Sequence, residues 1–206
     1  MPSIHVECLP VGGSFETNCY LVENAETGEV IVADAGADAQ AIIQAVGLRR
    51  PVAVLATHGH FDHIAAVDEV CAHFQIPLYM HEADIPKLLS AQLNESATFG
   101  YSLAVQTSAI PLTDEQHLSL AGLDITVLHT PGHSAGSCCF LLPDHQGVLC
   151  GDTLFLGGYG RTDFSDGNFG QLKNSLRRLL RITPKIPAYP GHGSATHAGR
   201  DQAEKL

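Results

Sequence analysis

The sequence predicts an α/β fold in which two β-sheets pack face to face with helices outside. Three observations point there. Each half of the chain runs strands first and helices later, a layered α/β pattern. Short apolar runs end repeatedly in glycine-flanked polar turns. No linker, repeat or low-complexity stretch interrupts the 206 residues, so one domain over 1–206 is expected.

Taken in order, residues 4–9 and 18–23 read as strands, and Glu26-Thr27-Gly28-Glu29 as the turn before a third strand at 30–33. That strand ends in Asp34-Ala35-Gly36, and Asp38 is placed to cap a helix carrying Ala41, Ile42, Ala45 and Val46. Residues 51–56 are short, apolar and partly β-branched, a buried strand. Ile64, Val67, Cys71 and Phe74 then recur at helical spacing, with Val70 beside them, so one helix is expected to about Phe74. Residues 76–80 form a further strand, followed by a helix with Ile85, Leu88 and Leu89 on one face. Residues 94–109 lack periodicity and read as a long loop of the lid or binding kind. Strands follow at 117–120, 123–129, 137–142 and 147–150. Phe169, Leu172, Leu176 and Leu179 mark a helix, 186–189 a last short strand, and 196–206 a helical or frayed tail.

Composition narrows the function. Apolar residues make up 45% and charged residues 16%, a soluble globular balance. A net charge of −11 argues against a nucleic-acid or anionic-membrane partner, which would need a basic surface. No run approaches the ~20 apolar residues of a membrane span. The N-terminus has no basic region followed by an apolar run, so no secretory signal is visible. Six cysteines without framework spacing fit reduced thiols, and the expected location is the cytoplasm. Twelve histidines are the anomaly, and they point to metal.

The densest ligand stretch is Thr57-His58-Gly59-His60-Phe61-Asp62-His63, between a strand and a helix, where open α/β sheets place their chemistry. One residue separates His58 from His60, so both can swing to one point in an extended loop. Asp62 and His63 follow at the helix start and can serve a neighbouring point. Four such groups exceed what one tetrahedral zinc with an open position takes, and suit two metals. Further candidates sit just after apolar strands and beside glycines: His133 in His129-Thr130-Pro131-Gly132-His133-Ser134, Asp152 in Gly151-Asp152-Thr153, and His192 in Pro190-Gly191-His192-Gly193.

This set resembles the metallo-β-lactamase fold superfamily, whose signature is H-x-H-x-D-H followed by a later His, a bridging Asp and a final His. The resemblance runs from Thr17-Asn18-Cys19-Tyr20 to His192. It implies a four-layer αββα sandwich of two mixed sheets. It implies His58, His60 and His133 on one metal, Asp62, His63 and His192 on a second, and Asp152 as the bridge. Within the superfamily the chain is most similar to glyoxalase II and its small single-domain relatives, through the 57–63 and 129–134 motifs and Gly151-Asp152-Thr153-Leu154-Phe155. Gly160-Arg161-Thr162-Asp163-Phe164 is typical of the small relatives and of the persulfide dioxygenase branch. The resemblance therefore implies a dinuclear metallohydrolase of thioesters such as S-lactoylglutathione, with Asp62 and Asp152 acting in catalysis. Zinc is the first metal expected, with iron or manganese as alternatives. Departures exist: the chain stops at Leu206 without the C-terminal glutathione-binding extension, and Gly193-Ser194-Ala195-Thr196 lacks the family tyrosine. The alternative is a mononuclear non-haem iron persulfide dioxygenase using His58, His133 and Asp152.

Other residues have two readings each. Asp34 either accepts hydrogen bonds from a ligand histidine or the 57–63 backbone, or forms an Asx turn. Arg161, in a glycine-rich loop with Tyr159, either binds a substrate carboxylate or pairs with Asp163. Phe99 and Tyr101 read first as core and second as a substrate cover. His129 reads as structural, and His81, at a helix start, reads first as solvent-facing and second as lining the cleft. His5, His73, His117, His145 and His197 read as surface or packing residues.

Overall fold

The computed structural model describes residues 2–182 and 185–198. Its N-terminal half forms β1 (Ile4–Val11), β2 (Thr17–Asn24), β3 (Glu29–Ala33), β4 (Arg50–Ala56), β5 (Leu78–His81) and β6 (Ala109–Leu112). These make one six-stranded sheet in that order, antiparallel from β1 to β3 and parallel from β3 to β6. The C-terminal half forms β7 (His117–Leu120), β8 (Leu123–His129), β9 (Cys138–Leu141), β10 (Val148–Gly151), β11 (Ile186–Pro190) and β12 (Thr196–Ala198). They build the second sheet, in the order β12-β11-β10-β9-β8-β7, with only the β10–β11 pair parallel.

Strand alternation decides the layers. Val22, Ile31, Ala33 and Leu55 face the second sheet and pack against Leu123, Ile125, Val127 and Phe140. Their neighbours Leu21, Val32 and Val54 point the other way, onto Ile42 and Val46 of α1 (Ala39–Val46) and Val67 and Val70 of α3 (Val67–Phe74). The far face of the second sheet, with Cys139, Cys150 and Ala188, is covered by Leu172, Leu176 and Leu179 of α4 (Phe169–Ile182). The result is the expected four-layer sandwich of two mixed sheets between helices. Each fully buried aliphatic side chain in these layers is worth ~1.5–3 kcal/mol relative to exposure. Among the described residues, no helix is long and apolar enough to cross a membrane.

Several local expectations are corrected. The helix after the histidine loop is two pieces, α2 (Phe61–Ile64) and α3. The Ala66 N–H donates to the Ala35 carbonyl at 2.9 Å instead of continuing the first helix, and Ala66 then opens the second. Asp38 stands at the N-terminus of α1 but makes no side-chain cap, because its left-handed backbone turns the carboxylate to the Gly12 N–H, 3.0 Å away. Residues 82–89 wind as 3₁₀ rather than α-helix, with Pro86 inside. The 94–109 stretch carries a 3₁₀ turn at Ser96–Phe99 and is tied down by Asn94 and by the Val105 N–H on the Leu88 carbonyl. The expected tail begins instead as β12, paired antiparallel to β11, and residues 199–206 lie outside the described residues.

Candidate metal centre

The ends of β4, β8, β10 and β11 bring seven side chains to one place. Three overlapping groups have ligand atoms within 4.8 Å of one another: His58, His60 and His133; His58, His63 and Asp152; and Asp62, His63 and His192. Asp152 joins them, with Oδ1 3.4 Å from His63 Nε2 and Oδ2 3.3 Å from His133 Nε2 and 3.5 Å from His192 Nε2. Asp62 Oδ2 lies 3.3 Å from His192 Nε2. A side chain at Gly191 would collide with the Asp152 carboxylate and the His63 ring, so only glycine lets β11 deliver His192 this closely.

The ring nitrogens facing away from the centre are fixed. His58 Nδ1 contacts the Thr57 hydroxyl at 3.1 Å, His63 Nδ1 the Asp34 carboxylate at 3.0 Å, His133 Nδ1 the Arg161 carbonyl at 2.8 Å and His192 Nδ1 the Glu16 carbonyl at 2.6 Å. Such partners set the tautomer and aim the other nitrogen inward. His60 differs, since its Nδ1 faces His133 Nε2 at 2.9 Å. Asp34, with positive φ at the end of β3, also accepts the Thr57 N–H at 2.7 Å and hydroxyl at 2.8 Å.

Buried polar atoms ordinarily find partners. Here His58 Nε2, His60 Nε2, His63 Nε2 and Asp152 Oδ1 are buried without a hydrogen bond, a donor set suited to divalent cations. Burial, then His63 and His60, holds His58 well below the usual imidazole range, while burial and then His133 does the same for His60. Both are neutral and ready to ligate. Burial alone would raise Asp152, but His63, His192 and His133 outweigh it and hold the carboxyl well below its ordinary value. Burial likewise opposes protonation of His192, yet its contacts with Asp152 and Asp62 push it up to about 10. The protons balancing these carboxylates are what a metal ion would displace.

A cavity of about 520 Å³ opens over the cluster, bordered by Phe15, Phe61, Glu95, Phe99, Phe155, Arg161 and Phe164 as well as the ligand-type residues. Arg161 does reach this cavity, but its guanidinium is held by Asp163 at 2.6 Å through two bonds and lies 4.6 Å over the Phe164 ring. Tyr159 does not line it; its ring rests 5.8 Å from Phe169. Phe99 and Tyr101 are exposed rather than core, packed with Phe15 and Phe61 at the rim. His81 is buried, because its ring stacks 3.9 Å from His129. His129 has a structural role, its Nε2 2.9 Å from the Ala135 carbonyl.

One residue escaped the sequence reading. Asp84, fully buried, accepts the Gly59 N–H at 2.8 Å, the Gly136 N–H at 2.7 Å and the Ser134 hydroxyl at 2.7 Å. It clamps the His58–His60 loop to the loop carrying His133. Burial raises its carboxyl despite the opposing Lys87 charge and these donors. Beneath it, buried Lys87 pairs with Asp166 at 2.9 Å. No local sequence signal marks it, because the loops it joins lie 25 to 52 residues away.

Comparison with known proteins agrees with this geometry. The family model described as the metallo-beta-lactamase superfamily matches residues 12–192. The hydroxyacylglutathione hydrolase GloC of Haemophilus influenzae is 33% identical, over 97% of this chain and 95% of that protein. The crystal structure of the BLEG-1 B3 metallo-beta-lactamase superposes with a TM-score of 0.91 at 32% identity, covering 98% of this chain and 97% of that one. The di-iron-bound form of TTHA1623 gives a TM-score of 0.80 at 32% identity, covering 93% and 94%.

Proposed function

This chain belongs to the metallo-beta-lactamase superfamily, and on that premise we propose that it is a dinuclear metal-dependent hydrolase of thioesters such as S-lactoylglutathione. The observation carrying the reading is the convergence of seven ligand-type side chains, four of whose inward atoms make no hydrogen bond. His58, His60 and His133 would hold one ion, Asp62, His63 and His192 the other, and Asp152 would touch both. Zinc is the first choice, and iron or manganese suits the same N/O set. When bound, such ions supply a deprotonated water near neutral pH and Lewis acidity toward the carbonyl.

The protein's own groups do the rest. Asp62, held by the Thr17 hydroxyl at 3.3 Å and His192, borders the cavity and can accept a proton from a nucleophile placed there. The Asp34, Glu16 and Arg161 carbonyl or carboxylate contacts keep three imidazoles from rotating away. Phe15, Phe61, Phe99 and Phe164 limit water access around the reacting carbonyl. The thiolate of a thioester leaves with a pKa near ~8.5, so no dedicated protein acid is needed. Among the described residues Arg161 is the one cavity-lining cation other than histidine, and by exchanging its Asp163 partner it could take the carboxylate of an anionic thiol arm, with glutathione as the model. The substrate is a small molecule, and a cytoplasmic site of action fits the reduced cysteines.

The test is metal content and thiol release together. Protein purified with zinc, iron or manganese should hold two ions per chain and release thiol from S-lactoylglutathione without oxygen uptake. Oxygen uptake with glutathione persulfide at one iron per chain would replace this reading with the dioxygenase one.

A further inference from the structure

We propose that the acyl arm of the substrate is apolar and lies in a side groove next to the metal centre, so that aliphatic or aromatic acyl thioesters are preferred over the short hydroxyacyl type. This rests on the thioester-hydrolase reading above. The groove has a volume of about 240 Å³ and is walled by Phe15, Ala37, Phe61, Ala65, Tyr101 and Leu103. Besides Asp62 and the Tyr101 hydroxyl, its lining side chains carry no polar atom. It borders the main cavity along Phe15, Phe61 and Asp62, which line both. A chain leaving the reacting carbonyl over that border enters the groove.

Two further features assign it to the acyl arm. The rings form a continuous surface, with Phe15 and Phe61 5.2 Å apart, Phe61 and Tyr101 5.9 Å, and Phe15 and Tyr101 6.3 Å. Tyr101 is 56% exposed and Phe99 38%, an apolar patch at a site mouth of the kind that marks ligand contact. Position separates the two ends. Arg161 stands on the His133 side of the main cavity, its carbonyl bonded to that ring, and does not line the groove. An anionic thiol arm along that side leaves the neutral acyl arm for the groove. A hydroxyl placed among Phe15, Ala37, Ala65 and Leu103 would lose water without finding a side-chain partner.

The experiment uses the metal-loaded protein and one thiol. Acetyl-, lactoyl- and hexanoyl-glutathione are compared by kcat/KM, so a poorly matched thiol lowers all three alike. In parallel, S-methyl- and S-hexyl-glutathione, which cannot be hydrolysed, are titrated calorimetrically. The expected result is hexanoyl over lactoyl by at least about tenfold, with S-hexyl tighter than S-methyl by a similar factor. Ala65→Glu, at an exposed position of the groove, should bring the hexanoyl-to-lactoyl ratio to about one. Cleavage of all three esters with a ratio at or below one, equal binding of the two thioethers, or a ratio unchanged in Ala65→Glu would each overturn the groove assignment while leaving the hydrolase reading in place. No cleavage of any thioester would defeat the hydrolase reading itself.

Discussion

Replacing Asp84 by alanine should loosen the metal centre without touching a ligand. The carboxylate is fully buried and joins two loops through three bonds of 2.7–2.8 Å, from Gly59, Ser134 and Gly136. In Asp84→Ala the Ser134 hydroxyl keeps Ser137 as a partner at 2.8 Å. The Gly59 and Gly136 N–H groups lose their acceptor. Two orphaned buried donors at ~1–3 kcal/mol each give a loss of roughly 2–6 kcal/mol. At ~2–4 °C per kcal/mol for a chain of this size, a central value of ~4 kcal/mol lowers Tm by roughly 8–16 °C. Supporting residues of this kind also change metal affinity, typically by ~10–100-fold. Thermal unfolding followed by far-UV circular dichroism gives the first number, and competition against a chromophoric chelator the second. Asp84→Asn preserves the volume and one acceptor oxygen and should fall between parent and alanine. An Asp84→Ala protein that melts within about 1 °C of the parent and binds metal as tightly would refute the clamp.

Three other outcomes are expected. Asp152→Ala should lower the bound metal per chain, measured by elemental analysis, and abolish thioester cleavage, because its carboxylate contacts His63, His133 and His192. Arg161→Gln should raise KM for an anionic thioester by about tenfold, ~1.4 kcal/mol, with kcat unchanged, whereas Tyr159→Phe should alter neither constant. Asp68 should make stability acid-sensitive: burial alone would raise its carboxyl, but the Gln106 and Thr107 N–H groups and the Thr107 hydroxyl outweigh that and lower it. Its contribution is therefore present above the unfolded value of ~3.9 and is lost as pH falls through the lower folded value. Tm of Asp68→Asn should fall less than that of the parent on acidification through this window.

The ligand-type residues were legible because their spacing is local and their strands are apolar. His58, His60, Asp62 and His63 lie within six consecutive positions, and His133, Asp152 and His192 each come shortly after a strand with an apolar buried face. Asp84 was not legible, because its partners lie 25, 50 and 52 residues away and an acid in the first turn after a strand has an ordinary explanation. The break between α2 and α3 was hidden for a similar reason. Helical periodicity runs unbroken through Ile64, Val67 and Cys71, and the interruption comes from the distant Ala35 carbonyl. β6 escaped because Ile110 and Pro111 are exposed on it, so alternation is lost on this edge strand. The sandwich itself was readable, since each half runs strands first and helices later, and continuous apolar runs such as 51–56 mark strands covered on both faces.

The metal centre also stitches the sheets together, which ties its occupancy to the stability of the whole fold. Asn18 of β2 donates to the Pro190 carbonyl at 2.9 Å and the Gly193 carbonyl at 2.8 Å, and the Tyr20 hydroxyl reaches Pro190 at 2.8 Å. These bonds hold the His192 turn of the second sheet against the first. The Cys138 N–H of β9 donates to the Thr57 carbonyl at 2.8 Å, fixing the histidine loop from the other side. Ligand-type groups from both sheets therefore meet only when the sheets are packed, and the unfolded chain cannot present them together. The complete set forms only in the folded state, so whatever binds it there stabilises the inter-sheet contact as well as the loops, by at most ~2.7 kcal/mol at a hundredfold excess over Kd, less any binding to the local 58–63 segment of the unfolded chain. That linkage gives a physical reason for placing the cluster at the seam: the residues that orient His63 and His192, Asp34 and Glu16, belong to the first half of the chain, while His192 and Asp152 come from the second.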